Sequence, residues 1–384
     1  MNFELDTEQD LLRKTTRDLL SGAYDAETRN AVTATDRGWN PEVWRQFAEL
    51  GLLGLPFPEE HGGMGAGPVE TMAVMTEIGR ALAPEPLLDA VYTPGGLVAE
   101  AGTDAQRAAI LPRVAEGDLL LAFAHDEPGS RWPSTGVRTA ATRTGDVWTL
   151  TGRKNPVLHG DCADLLVVSA TLPDGGTGLF LVDASADGVT RTAYRTHDER
   201  RGAQLVLDGV TAEPLGAAAG ATAITDATGA IVAAQVRAQA ALCAEAVGAM
   251  QEALRLTTEY LKQRKQFGAP IARFQALTHR AADMYVLLEL ASSLSLYATM
   301  ALSDGIVDPA IASRAKLQVG RSARSIGQEA IQMHGGIGMT AEYPVGHYVS
   351  RLTAIEHTLG STEDHLRVLA GAVADHDRVD VTGG

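Results

Sequence analysis

"AIVAAQVRAQAALCAEAVGAMQEALRLTTEYLKQRKQFG", residues 230–268, decides the fold. Small and apolar residues recur at helical spacing along it, and no proline interrupts them. It reads as one long helix, closed by a basic last turn and by Gly268 as C-cap. A helix this long and this apolar needs partners on several sides. The sequence supplies them downstream. "FQALTHRAADMYVLLELASSLSLYATMALSDG" is a second helix, and "DPAIASRAKLQVGRSARSIGQEAIQMHGG" a third, opened by Asp308-Pro309 and closed by Gly335-Gly336. Thr353 to Val373 is a fourth, interrupted by a turn at Gly360 with Ser361 or Thr362 as the next cap. The expectation is a C-terminal four-helix bundle over 221–375, with 376–384 as a tail.

Upstream the character changes twice. Between 119 and 220, segments such as "LLLAFAHDEPG", "VWTLTGRKN", "ADLLVVSATL" and "AQLVLDGVTAEPL" are short, rich in β-branched residues and separated by turn residues. About seven strands without intervening helices predict an antiparallel sheet or small barrel. Residues 1–118 are helical again, with Asp6 or Thr7 and Asn40-Pro41 as starts. The fold class is α+β and multidomain: an N-terminal helical domain, a middle antiparallel β domain and a C-terminal four-helix bundle.

The chain has 384 residues, 45% of them hydrophobic, and a net charge of −16. That charge excludes nucleic acid and anionic membrane surfaces as partners, since both call for clustered Lys and Arg. The two cysteines, Cys162 and Cys243, stand in no ligand pattern and read as buried thiols of a reducing compartment. The charged N-terminus has no signal-peptide core, and no run of about 18 apolar residues is visible, so a cytoplasmic location without a spanning helix is expected.

Individual motifs are weak by themselves. "RKQFG" (264–268) and the glycine pair in "IQMHGGIGMTAEYP" (331–344) read as helix stops, although paired glycines also let another group approach the backbone. "GGMGAG" (62–67) follows no strand and is no dinucleotide fingerprint. "SRAK" (313–316) lies inside a helix. Glu356, His357 and His365 match no metal-binding spacing, and no metal is expected.

Together, "LGLLGLPFPEEHGGMG", "YLKQRKQFGAPIARFQALTHRAADM" and "QMHGGIGMTAEYP", in their α–β–α frame, resemble the acyl-CoA dehydrogenase family. The resemblance implies an FAD enzyme that removes two hydrogens across the α and β carbons of an acyl-CoA thioester. A carboxylate takes the α proton and the flavin takes the β hydride. It also implies a cofactor lying across a subunit boundary. On the donated side, Arg264 would pair with the diphosphate and be followed by Gln266 and Phe267, with Phe274 on the adenine side. Gln332, Gly335 and Gly336 would complete that cradle.

The receiving side departs from the family. The usual glutamate before the glycine turn is Leu359, and the alternative base position aligns with Ala238. The Trp-x-Thr flavin segment reads Pro156 and Leu158. The Thr-Glu-Pro-Gly turn begins with Asp126, a carboxylate facing a ring that becomes anionic, and Arg131, Trp132 and Pro133 follow where small residues are usual. The chain therefore resembles the non-catalytic subunit of heteromeric α2β2 dehydrogenases of actinobacterial steroid side-chain breakdown. That implies no catalytic residue here, FAD shared with a partner chain, and a homologous partner that carries the glutamate and binds most of the acyl-CoA. Two alternatives stand beside it. One is an active homotetramer with Glu245 as displaced base, two helical turns from Ala238 and more readily a carboxylate paired with arginine; Glu356 and Glu363 are weaker candidates. The other is a flavin-free scaffold, against which the complete Arg264 and Gln332 motifs argue.

Overall fold

A computed structural model describes residues 5–134, 136–217 and 224–373. The expected tail and the boundary placed between residues 220 and 221 lie outside the described residues. The N-terminal region is built from α1 (Thr7–Ala23), α2 (Ala26–Thr33), α3 (Pro41–Glu49), α4 (Pro68–Ala81), α5 (Thr93–Ala101) and α6 (Asp104–Ala115). Local chemistry sets their starts. Asp6 forms a capping box with Gln9, Asn40 caps α3 with Pro41 in its first turn, and Thr103 forms a box with Gln106. Between α4 and α5 the chain winds into one π-helical stretch, Leu87–Tyr92, in which the Thr93 amide reaches back to the Leu88 carbonyl.

Seven strands follow: β1 (Leu121–Ala124), β2 (Ala140–Thr144), β3 (Val147–Leu158), β4 (Leu165–Thr171), β5 (Thr177–Asp183), β6 (Val189–Arg195) and β7 (Arg201–Pro214). Six of them run in the order β1-β4-β2-β3-β7-β5, β6 pairs with β7 off this path, and β5 returns to pair with β4, so the sheet closes on itself. Most pairings are antiparallel, but β1 and β2 each join β4 in parallel. Strand β4 is buried on both faces, so one side packs inside the sheet on Phe180 and Leu205 while Val167 faces the helices.

The bundle comprises α7 (Thr228–Gln263), α8 (Gln275–Ser303), α9 (Pro309–His334) and α10 (Val345–His357), with α11 (Thr362–Gly371) after the turn. Two boundaries differ from the sequence reading. Helix α7 ends at Gln263 and not at Gly268, because residues 264–270 leave the helix to form a two-strand hairpin, β8 (Lys265–Gln266) with β9 (Ala269–Pro270). Phe267 and Gly268 occupy its turn at φ 53° and 78°, the signature of a type I′ turn. The fourth bundle helix begins at Val345, eight residues before the expected start.

Helices α4 and α7 cross with backbones in contact. A Cβ on Gly79 would stand 1.9 Å from the Glu245 carbonyl oxygen, and one on Gly248 1.9 Å from that of Thr76. This contact merges the N-terminal and bundle cores into one. The expectation that no segment is apolar enough to span a membrane does not hold on composition. Helices α7 and α8 both pass that test, with the apolar window of α7 78% buried inside the fold and that of α8 33% buried. What separates α7 from a membrane span is packing, which a linear count of apolar residues cannot register.

Candidate active site and cofactor surface

Five of the positions singled out in the sequence come together. Asp126, Pro156, Leu158, Ala238 and Leu359 line one cavity of about 400 Å³. They come from the end of β1, from β3, from α7 and from the turn after α10. Strand β3 carries the Pro156/Leu158 segment through an irregular register against β7. The DEPG turn is held by Glu127, which accepts from the Thr139 amide and hydroxyl and from Lys154 Nζ at 3.0 Å. Burial pushes Lys154 down to about 8 despite that partner. Burial likewise raises the carboxyl of Asp126.

The backbone of the residue before the glycine turn is fixed by two side chains. The Leu359 carbonyl accepts from Gln239 Nε2 and His365 Nε2, each at 3.0 Å. Leu359 has φ 55° and Gly360 φ 98°, so a leucine occupies the left-handed region, where a side chain is strained. Trp132 packs onto this turn: a Cβ on Gly360 would lie 2.6 Å from its ring. Trp132 and Pro133 line a neighbouring cavity of about 160 Å³ rather than the first, and Arg131 is exposed and lines neither.

Glu245 is not in the cavity wall. It is fully buried, and its Oε1 accepts from Arg200 (2.8 Å) and Arg351 (2.7 Å), its Oε2 from Arg351 (2.8 Å). Arg351 also binds Asp198 at 2.8 Å. Burial would raise the Glu245 pKa, but Arg200 and Arg351 outweigh it and hold the carboxyl below its ordinary value. Both oxygens are committed to cations, so the displaced-base reading of Glu245 is corrected to that of an ion-cluster centre. Its partners lie in the loop just before β7 and on α10, too far away in sequence for any spacing rule to pair them. Glu356 accepts from the Thr362 amide at 2.9 Å and caps α11, and Glu363 is exposed. Among the described residues no His/Cys/Asp/Glu group of three could hold a metal ion. Of the two thiols, Cys243 is buried and Cys162 only half-buried.

The other set of residues lies at the far end of the bundle. Ala238 and Arg264 are about 26 residues apart on α7 and its cap, roughly 39 Å along the axis. Gln332, Gly335 and Gly336 close the last turn of the 26-residue α9. Tyr260 and Tyr343 hold these two ends together around His334, which stacks on Tyr260 at 4.6 Å and meets the Tyr343 hydroxyl at 3.2 Å. Arg264, Gln266, Phe267, Phe274, Gln332, Gly335 and Gly336 are all exposed, Phe267 by 90%. Among the described residues Arg264 and Arg273 have no acidic partner, and Lys262 and Lys265 flank them. A cationic patch thus stands out on a chain of net charge −16. Gly335 needs its glycine for φ 67°, but Gly336 has open space where a Cβ would point and no left-handed backbone. Among the described residues nothing demands a glycine at 336, so the site suits a group arriving from outside.

The family model of the acyl-CoA dehydrogenase N-terminal domain matches residues 6–118, and that of the C-terminal domain matches 231–374. The acyl-CoA dehydrogenase IpdE2 of Mycobacterium tuberculosis is 31% identical over 369 residues, covering 95% of this chain and 97% of its own. A solved structure of a variant of the steroid ACAD Tcur3481-Tcur3483 is 33% identical over 96% of this chain and 98% of that one, with a TM-score of 0.87. The ChsE4-ChsE5 complex from Mycobacterium tuberculosis contains a chain 26% identical to this one, covering 98% and 100%, with a TM-score of 0.89.

Proposed function

We propose, from the premise that this chain belongs to the acyl-CoA dehydrogenase family, that it is the cofactor-completing, non-catalytic subunit of a heteromeric FAD-dependent acyl-CoA dehydrogenase. The observation that carries this reading is the separation of two half-sites on one rigid helix. The exposed cradle at the end of α7 cannot reach the cavity near its start, so it serves another chain. That cavity, in turn, has a leucine and an alanine at the two positions where the family carries its base.

The residues fit FAD unequally. Arg264 presents an unpaired guanidinium fork suited to diphosphate oxygens, Gly335 and Gly336 leave room for the cofactor against backbone, and Phe267 and Phe274 offer apolar edges. On the receiving face, Pro156 has no amide to donate and Leu158 no hydroxyl, while Asp126 places a carboxylate where anionic charge would develop. Held there, FAD would supply the acceptor for the hydride that leaves the β carbon of the substrate. This chain's part is to hold the diphosphate end, exclude water with the Phe267/Phe274 pair and orient the partner's cofactor. The names of the ChsE4-ChsE5 complex and of the steroid ACAD Tcur3481-Tcur3483 support a heteromeric assembly with a steroid-type acyl thioester as substrate; the α2β2 stoichiometry and a cytoplasmic location are part of the same proposal.

Purification of the chain alone, and again with a co-expressed homologue that carries the glutamate, tests this. The chain alone should be colourless and inactive. The pair should be yellow, with turnover. A yellow chain that turns over acyl-CoA alone would sink the proposal, and a colourless pair would favour the flavin-free scaffold.

The strained, exposed Phe267 gives a second measurement. A bulky residue at positive φ costs about 1 kcal/mol or more. Phe267→Asn should relieve that strain and raise the melting temperature of the isolated chain slightly. The same change removes an aromatic anchor and should weaken association with the partner about tenfold or more. Unchanged association would show that Phe267 is not part of the interface.

A further inference from the structure

A cavity of about 410 Å³ lies between α1, α2, α4, α7 and the start of α10, and four arginines line it. Three of them are spent on carboxylates. Arg17 and Arg80 both hold Glu77, Arg17 through Nε at 2.9 Å and Nη2 at 2.7 Å, and Arg255 holds Glu252 and Glu259. Arg29 is the exception. It is only 5% exposed, and its Nε donates to the Leu82 carbonyl at 3.1 Å. Among the described residues neither Nη1 nor Nη2 makes a hydrogen bond, and the one carboxylate within 4 Å is that of half-exposed Glu199, 3.9 Å from Nη1. That is beyond hydrogen-bond reach, and the Thr33 hydroxyl donates to the same oxygen at 3.4 Å. The acids of the cavity wall leave the charge unanswered too. Glu77 and Glu252 are taken, Asp25 accepts from the Thr28 amide at 2.7 Å and caps α2, and Asp18 is exposed on α1. Burial and then Arg200 push the Arg29 guanidinium below its ordinary pKa, as befits a cation without compensation.

We propose that Arg29 anchors a binding site for a small organic monocarboxylate. One uncompensated guanidinium calls for one anionic charge, and a buried cation gains most when a ligand supplies it. The first turn of α10 acts in the same direction. Pro344, His347 and Tyr348 line the cavity, no side chain caps that helix among the described residues, and its dipole favours an anion. Asp18 and Asp25 in the wall count against an anion of higher charge such as phosphate. Leu20, Leu82, Leu256 and Pro344 give the carbon body of an acid an apolar seat. None of these residues belongs to the cradle at Arg264 or to the cavity around Leu359, so occupancy here does not depend on the flavin reading.

The test uses cyclohexanecarboxylate and its neutral counterpart of the same shape, cyclohexanecarboxamide, titrated by calorimetry into the full chain. The carboxylate should bind about tenfold tighter or better, because only it brings a charge to Arg29. Arg29→Met keeps the length of the side chain without the cation and should bind both compounds equally. Its melting temperature should hold or rise, since a buried charge without a partner is replaced by an apolar group. Arg29→Lys keeps a positive charge and should retain a reduced preference for the carboxylate, which keeps the question open to measurement if the methionine variant folds poorly. Equal binding of both compounds to the unmodified chain, no binding of either, or a preference that survives Arg29→Met overturns the proposal. So does inorganic phosphate binding tighter than the carboxylate, and so does a methionine variant that melts several degrees lower, because the cation would then have a partner inside the fold.

Discussion

Glu245→Gln is expected to cost about 3–5 kcal/mol of stability, the usual consequence of leaving buried charge uncompensated. Glu245 is fully buried, and Arg200 and Arg351 are nearly so. Removing the anion leaves two guanidiniums facing each other, with Asp198 alone to balance them. The cluster joins α7 to the β6–β7 connection and α10, so its failure loosens the contact between the β region and the bundle. Chemical denaturation of the two proteins measures the difference. A group held below its ordinary pKa contributes stability above the unfolded value near 4.5 and loses it as pH falls through the folded value. The difference between the two proteins should therefore shrink in acid. If Glu245 were the catalytic base, the variant would keep its stability and lose turnover in a chain that is active alone. That pattern would overturn the ion-cluster assignment.

The second large effect is expected at a distance from any catalytic cavity in this chain. Arg264→Ala, assembled with the partner, should weaken FAD retention about 10- to 100-fold, the range for a lost charge-assisted bond to phosphate. Arg264→Lys keeps the charge without the fork and should fall between. Flavin released on dilution, followed by fluorescence, reads both. Because Arg264 is exposed and unpartnered among the described residues, the melting temperature of the isolated chain should not change. Equal flavin retention in all three assemblies would show that this chain donates nothing to the cofactor.

How much of this was legible beforehand differs by feature. The long helix, the strand-rich middle and the caps at Asp6, Asn40 and Thr103 follow from patterns a few residues wide. The replaced residues Leu359, Ala238, Pro156 and Leu158 were found by motif position, and the structure brings them to one cavity. Trp132 and Arg131 were grouped with them, but only Trp132 touches the glycine turn. Asp89, in the same cavity wall, went unread, because within "LLDAVYT" it resembles any exposed helix position until the π-turn is seen.

By itself the amino-acid order determined which segments are helix or strand and which chemical groups are missing, because periodicity, capping and turn residues act over one or two turns. Tertiary structure alone decided that α7 stops at Gln263 and gives way to a hairpin. It also decided that Glu245 is neutralised by residues from the β6–β7 connection and α10, and that the cradle and the cavity stand at opposite ends of one helix. Those outcomes depend on the burial of charge and on distances through space, and neither is encoded in any short stretch of the chain.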